Sequence, residues 1–248
     1  MKFKLKNSSC DIDIPRDIAA FISKFHAIQQ DYEAATRDVN EAFKKHAFEN
    51  KDFTHEALIK AHEETIKSNN AEYKARCAQI NGNLYKYISD IKSKLTGELS
   101  VSNNSADYSM RFNNALVFLQ AEGSEITDEI ASDIFSEFKN DMPLMRRVRR
   151  MIELQKGEKI SDGYGNTTFS KTLGALDRYE KYCAEFDGIG EIASKIFMTE
   201  CVDGELDEFK GHMLSVPMLS YPELIYESQL AEGADVLQKM TSELFESA

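Results

Sequence analysis

Pro15-Arg-Asp-Ile18-Ala-Ala-Phe21-Ile-Ser-Lys-Phe25-His-Ala-Ile28-Gln-Gln-Asp-Tyr32-Glu-Ala-Ala35-Thr-Arg-Asp-Val39-Asn-Glu-Ala42-Phe-Lys-Lys-His46 decides the fold of this 248-residue chain. Ile18, Phe21, Phe25, Ile28, Tyr32, Ala35, Val39, Ala42 and His46 follow one another at spacings of three and four. That is the heptad signature of a long helix with one apolar seam, to be buried against another helix of this chain or of a second copy. From Pro15 to Gly97 there is no further proline and one internal glycine, Gly82. Pro15 suits a first helical turn, where Asp17 complements the helix dipole. Around Asn50-Lys-Asp52-Phe-Thr54 the phase slips, and Asp52 or Thr54 can cap a new helix. Ile59, His62, Ile66, Tyr73, Cys77, Ile80, Leu84, Ile88, Ile91 and Leu95 carry the pattern on, with polar Asn69-Asn70 where a core residue is due. Two architectures satisfy this: an antiparallel hairpin with arms about 50 Å long, or one rod approaching about 120 Å. The slip near residue 50 favours the hairpin.

Ahead of the ladder, Lys2-Phe3-Lys4-Leu5-Lys6 and Asp11-Ile12-Asp13-Ile14 alternate strictly around a turn-forming Asn7-Ser8-Ser9. A short β-hairpin is expected, with Phe3, Leu5, Ile12 and Ile14 on one face. Behind the ladder, residues 97–106 are small, polar and aperiodic, and the charge balance changes there. Residues 1–97 carry 16 Lys and Arg against 14 Asp and Glu, net +2; residues 98–248 carry 14 against 28, net −14, which together give the −12 of the whole chain. The expected organisation is therefore a hairpin over 1–14, a helical arm over 15–97, a linker over 98–106 and an acidic helical domain over 107–248.

Within that domain the helices are shorter and better punctuated. Tyr108, Phe112, Leu116 and Leu119 form one stripe ended by Gly123, and Thr127 caps a second carrying Ile130, Ile134, Phe135 and Phe138. Pro143 opens a basic helix ended by Gly157. A helix is expected from about Ser170 to Phe186, and two short ones over 190–214, parted near Asp203-Gly204. Ser220-Tyr-Pro-Glu223 is a capping box that opens the last helix. The fold class that results is all-α: a long coiled-coil-like N-terminal helical hairpin preceded by a short β-hairpin, then a compact multi-helix domain.

Composition narrows function by exclusion. An apolar fraction of 42% is too high for global disorder, and four prolines with twelve glycines argue against a β-sandwich. No apolar run reaches the roughly 18 residues of a membrane span. The basic start Met1-Lys-Phe-Lys-Leu-Lys has no apolar segment of the signal-peptide kind, so a cytoplasmic protein is expected. Cys10, Cys77, Cys183 and Cys201 are scattered, as reduced thiols are, with no C-x-x-C pair.

Motifs that could carry chemistry fall short of it. His46, His55 and His62 lie close in sequence but match neither H-E-x-x-H nor the repeated Glu-x-x-His of di-iron bundles. The segment Gly157 to Gly165 lacks the Gly-Lys-Ser/Thr of a phosphate loop; Tyr164 is its one contact-forming candidate. Asp203-Gly-Glu205-Leu-Asp207-Glu208 lacks the ligand spacing of an EF-hand and reads as the acidic first turn of a helix. No catalytic residue, metal site or cofactor is expected. The sharpest anomaly is Arg146-Arg147-Val148-Arg149-Arg150, four arginines in five residues inside an acidic half. They can salt-bridge within the protein, dock a partner, or contact phosphates. The negative surroundings and the lack of interleaved aromatic residues argue against nucleic acid.

Residues 106–151, through Phe112-Asn-Asn-Ala-Leu-Val-Phe-Leu119, Gly123-Ser-Glu-Ile-Thr-Asp-Glu129 and Phe138-Lys-Asn-Asp-Met-Pro-Leu-Met145, resemble helical proteins of tailed-phage and prophage structural gene clusters. The resemblance covers about a fifth of the chain. It implies a non-enzymatic part in virion building, as a structural, scaffolding or assembly-chaperone protein, located in the host cytoplasm or the virion. Phage scaffolds often dock through a basic C-terminal helix, whereas Ser242-Glu-Leu-Phe-Glu-Ser-Ala248 is acidic. The expected partners are a second copy, through Ile18, Phe21, Phe25, Ile28, Tyr32 and Val39 of the arm, or another virion protein. The alternative is a nucleic-acid-associated regulator using Arg146, Arg147, Arg149 and Arg150.

Overall fold

A computed structural model describes residues 2–4, 9–49, 53–99, 105–160, 168–194, 207–216 and 221–246. These residues are predominantly helical. In chain order the elements are β1 (Lys2–Lys4), β2 (Ser9–Asp11), α1 (Ile14–Glu49), α2 (His55–Leu99), α3 (Ala106–Glu122), α4 (Asp128–Ile134), α5 (Met142–Lys156), α6 (Ser170–Ala193), β3 (Asp207–Phe209), β4 (His212–Leu214) and α7 (Tyr221–Glu246). They form two compact units that interleave along the chain. The first draws on 1–12, 89–188 and 239–248, the second on 13–88 and 189–238. Thus α2, α6 and α7 each supply residues to both, and the 98–106 stretch falls inside the sequence range of the first.

In the second unit α1 and α2 are separate helices. Thr54 Oγ1 accepts the Ala57 amide at 3.3 Å and so caps α2, one of the two caps expected. The helices meet through Asp17–Tyr87, Phe21–Tyr87, Asp31–Arg76, Tyr32–Tyr73 and Phe43–His62. As one number rises the other falls, so the pair is antiparallel. The buried stripe of α1, however, is Ile14, Ile18, Phe25, Gln29, Tyr32, Thr36 and Phe43. It advances at 3.6 residues per turn and drifts off the heptad ladder. Ala42 and His46 come out exposed while Phe43 goes in. A straight helix loses a strict seven-residue seam in this way, because holding it takes a supercoil. Asn70, the polar residue in a core position of α2, accepts a hydrogen bond from the Tyr32 hydroxyl.

The N-terminal strands pair antiparallel with Lys2 opposite Asp11 and Phe3 opposite Cys10. The second strand therefore lies earlier than the 11–14 alternation suggests, and Ile14 begins α1 instead of ending a strand. Residues 5–8 lie outside the described residues. Asp13 Oδ1 accepts the Arg16 amide at 3.2 Å at the start of α1.

The first unit packs α3, α4, α5 and the first part of α6 around Tyr108, Phe112, Leu119, Phe135, Phe138, Met145, Val148, Ile152, Leu173 and Leu176, all buried. Its helices start where the sequence says. Ser105, Thr127 and Asp141 side chains accept the amides of Tyr108, Ile130 and Leu144, and Gly157 closes α5 at φ 69°. The start of α6 is capped from a distance. Asp128 Oδ2 accepts the Lys171 amide at 2.8 Å, and Oδ1 accepts the Thr172 amide at 3.0 Å and its hydroxyl at 2.7 Å.

Two expectations over 170–214 fail. The helix α6 continues past Phe186 to Ala193, and 207–214 is a β-hairpin where a helix was expected. Its two-residue turn has φ 49° at Lys210 and φ 81° at Gly211, the left-handed pair that a type I′ turn needs. Residues 203–206 lie outside the described residues; Asp207 and Glu208 belong to a strand. Ser220 of the expected capping box also lies outside, and α7 begins at Tyr221.

Candidate functional site

The two residue sets singled out by sequence fare differently. Of the arm's ladder, Ile18, Phe25 and Tyr32 are buried, and Phe21, Ile28 and Val39 are half-buried. That seam is consumed inside the second unit by packing such as Tyr32 stacked on Tyr73 at 4.5 Å.

The arginine cluster splits in two. Arg149 is bonded to Asp177 and, at 2.5 Å, to Glu180, while Arg146 Nε donates to Glu180 at 3.0 Å. Burial alone would raise the Glu180 carboxyl, but hydrogen bonds from Arg149 and then Arg146 hold it below the usual carboxylate range. Asp177 is itself buried, so this α5–α6 network is structural. Arg147 and Arg150 are exposed, Arg150 one turn beyond Arg146.

The histidines do not gather as a sequence cluster. His46 and His55 are exposed, whereas His62 is 5% exposed and pairs with His212, which is 9% exposed. His62 Nδ1 lies 3.0 Å from His212 Nε2, His62 Nε2 lies 2.8 Å from Asn40 Oδ1, and Asn40 Nδ2 donates to the Ser215 carbonyl at 2.9 Å. Phe43 covers the pair, with ring centroids 4.8 Å from His62, 5.1 Å from His212 and 6.1 Å from Phe209. Lys210 Nζ reaches the Ala47 carbonyl at 3.3 Å and sits 4.3 Å from the Phe48 ring centroid. The β3–β4 hairpin is thereby fastened to the end of the α1–α2 pair.

Among the described side chains no hydrogen bond joins a carboxylate to either imidazole, and no described group of three or more His, Cys, Asp or Glu could hold a metal ion. His212 was not among the sequence candidates. The signal that could have found it is Gly211 after Lys210, a two-residue turn flanked by alternating Phe209, His212 and Leu214. Tyr164 lies outside the described residues. Cys77 is buried and Cys183 half-buried, both as thiols. No helix among the described residues is long and apolar enough to cross a membrane.

One further surface is unusual. The helix α3 buries Tyr108, Phe112, Ala115 and Leu119, yet exposes Met110 at 58%, Val117 at 62% and Phe118 at 66%. Spacings of seven and eight put these three on one side of the helix, together with exposed Asn114 and Ala121. No protein family, no curated protein and no solved structure was found to match the chain.

Proposed function

We propose that the chain is a non-enzymatic assembly protein that self-associates through the outer face of α3. The carrying observation is the joint exposure of Met110, Val117 and Phe118 along one side of α3. A second copy suits this strip for two reasons. Asp107, the carboxylate that shares this side of α3, is paired with Arg111 at 3.2 Å, which limits like-charge repulsion between molecules of net charge −12. The positions 110, 114 and 118 are also symmetric about Asn114, so two antiparallel copies would set Met110 against the partner's Phe118 twice, with the two Asn114 amides at the axis. The likeness of residues 106–151 to phage structural proteins supports the same class, a virion component, scaffold or assembly chaperone. Arg147 and Arg150 leave nucleic acid as the alternative, weakened by the ion pairs that occupy Arg146 and Arg149.

Light scattering on size-exclusion fractions tests the proposal. The native protein should gain mass with concentration, and Phe118→Glu should hold it monomeric with an unchanged thermal melt. A native protein that stays monomeric at high micromolar concentration overturns it, as does a Phe118→Glu variant that associates normally. Retention of DNA or RNA at low salt, lost on Arg147→Ala with Arg150→Ala, would favour the alternative.

A further inference from the structure

The hydrogen bonds around His62 form a chain with a single direction. The Ser215 carbonyl can only accept, so Asn40 must present its amide nitrogen there and its oxygen to His62. His62 Nε2 therefore carries a hydrogen, and in the neutral ring Nδ1 is bare. His212 Nε2 must then be the donor across the 3.0 Å contact. Both tautomers are fixed by one backbone carbonyl.

Protons added to this pair have unequal effects. A first proton can rest on His212 Nδ1 without disturbing any of these bonds. A second has to go to His62 Nδ1, and it sets two N–H groups and two positive charges against each other beneath the Phe43 ring.

We propose that the β3–β4 hairpin is an acid-released clasp, held on the end of the α1–α2 pair while His62 and His212 carry at most one charge and freed when both are charged. What faces His62 fits this. From α1 come the neutral Asn40 and Phe43, with Glu33, Arg37, Glu41 and Lys44 lining the cleft that adjoins Asn40. From β4 comes His212, and from α2 its neighbour Glu63. Lys210 directs its ammonium to the Ala47 carbonyl and the Phe48 ring. Burial, and then the His212 charge, hold His62 below the ordinary imidazole value of 6.5, with Glu63 pulling weakly the other way. The folded state thus binds fewer protons at His62 than the unfolded chain. The contribution of the clasp is full above 6.5 and is lost as pH falls below it. Release would uncover Phe43, His212 and Leu214, all buried when the clasp is shut. This inference stands apart from self-association through α3.

Hydrogen exchange of the whole protein, corrected for intrinsic rates, tests the clasp between about pH 7.5 and about pH 5. Amides of residues 207–214 should lose roughly tenfold or more of their protection, while those of α5 keep theirs. His212→Gln, which cannot gain a proton, should abolish that pH dependence. Unchanged protection in the native protein overturns the proposal, and so does an equal loss in the variant. Should His212→Gln leave the hairpin unprotected at every pH, the native imidazole resonances decide. His62 must show a bare Nδ1 at neutral pH and titrate together with the hairpin amides; a protonated Nδ1 in neutral His62, or a titration that leaves those amides unmoved, overturns it.

Discussion

The buried polar groups of the first unit are bound by backbone amides, an arginine and a hydroxyl around an apolar core, whereas those of the second are amide, hydroxyl and imidazole side chains set chiefly along its two long helices. Around the Tyr108–Leu176 cluster, Asp141 caps α5, Thr172 is held by Asp128 at the start of α6, and Asp177 is paired with Arg149. In α1 and α2, Gln29, Thr36, His62 and Asn81 are buried in mid-helix among apolar neighbours. The first arrangement rests chiefly on volume and shape, with the Arg149–Glu180 network as a pH-sensitive part. The second depends on finding partners for groups that cannot be hydrated, so it is register-specific and sensitive to conditions.

The largest expected effect tests the apolar side. Phe135 is fully buried, with ring centroids 6.0 Å from Phe112 and 6.3 Å from Phe138. Phe135→Ala should cost about 3–5 kcal/mol in denaturant unfolding. Hydrogen exchange should rise more over residues 108–176 than over 18–43. An equal rise would mean that both cores unfold as one, and the contrast would then concern composition alone.

Next comes Asp128, whose carboxylate takes two amides and a hydroxyl at the start of α6. Asp128→Ala strands those donors and should cost about 2–3 kcal/mol. Asp128→Asn, which keeps one carbonyl oxygen, should recover part of it. A loss as small as that of a surface residue would show that the start of α6 finds water instead.

In the second unit Gly233 of α7 faces α6. A Cβ there would stand 2.8 Å from both Cγ1 and Cδ1 of Ile189. Alanine gains about 1 kcal/mol in helix propensity, yet overpacking should leave Gly233→Ala about 1–2 kcal/mol less stable. Adding Ile189→Ala should reverse the sign of the glycine substitution, a coupling read directly from a double-mutant cycle. Additive costs would place the strain elsewhere.

The sequence was legible where the determinants are local. Thr54, Thr127, Pro143 and Gly157 start or end helices as their chemistry requires, and the buried α2 residues His62, Ile66, Tyr73, Cys77, Ile80, Leu84, Ile88 and Leu95 are ones that its pattern names. What escaped depends on distant partners. Asp128 caps a helix that begins more than forty residues later, and His62 owes its state to His212, 150 residues away. Three-residue strands with a Lys-Gly turn also offer too short a pattern to compete with the helical reading of 190–214. In α1 the error was one of period: with three and four alternating, a heptad and a 3.6-residue stripe coincide for two turns and then part, carrying Thr36 and Phe43 inward.

Thr36 gives the smallest effect and the most direct test of that drift. Its side chain is fully buried, and its hydroxyl has no hydrogen-bond partner among the described residues. A hydroxyl in that position forfeits hydration with nothing in return, while valine has the same shape and keeps the β-branch. Thr36→Val should therefore raise the unfolding free energy by about 1 kcal/mol, against the usual direction for a core substitution. On the heptad reading Ala35 would hold the core position and Thr36 would flank it, so the same change would be neutral. A destabilised Thr36→Val protein would mean that the hydroxyl is satisfied.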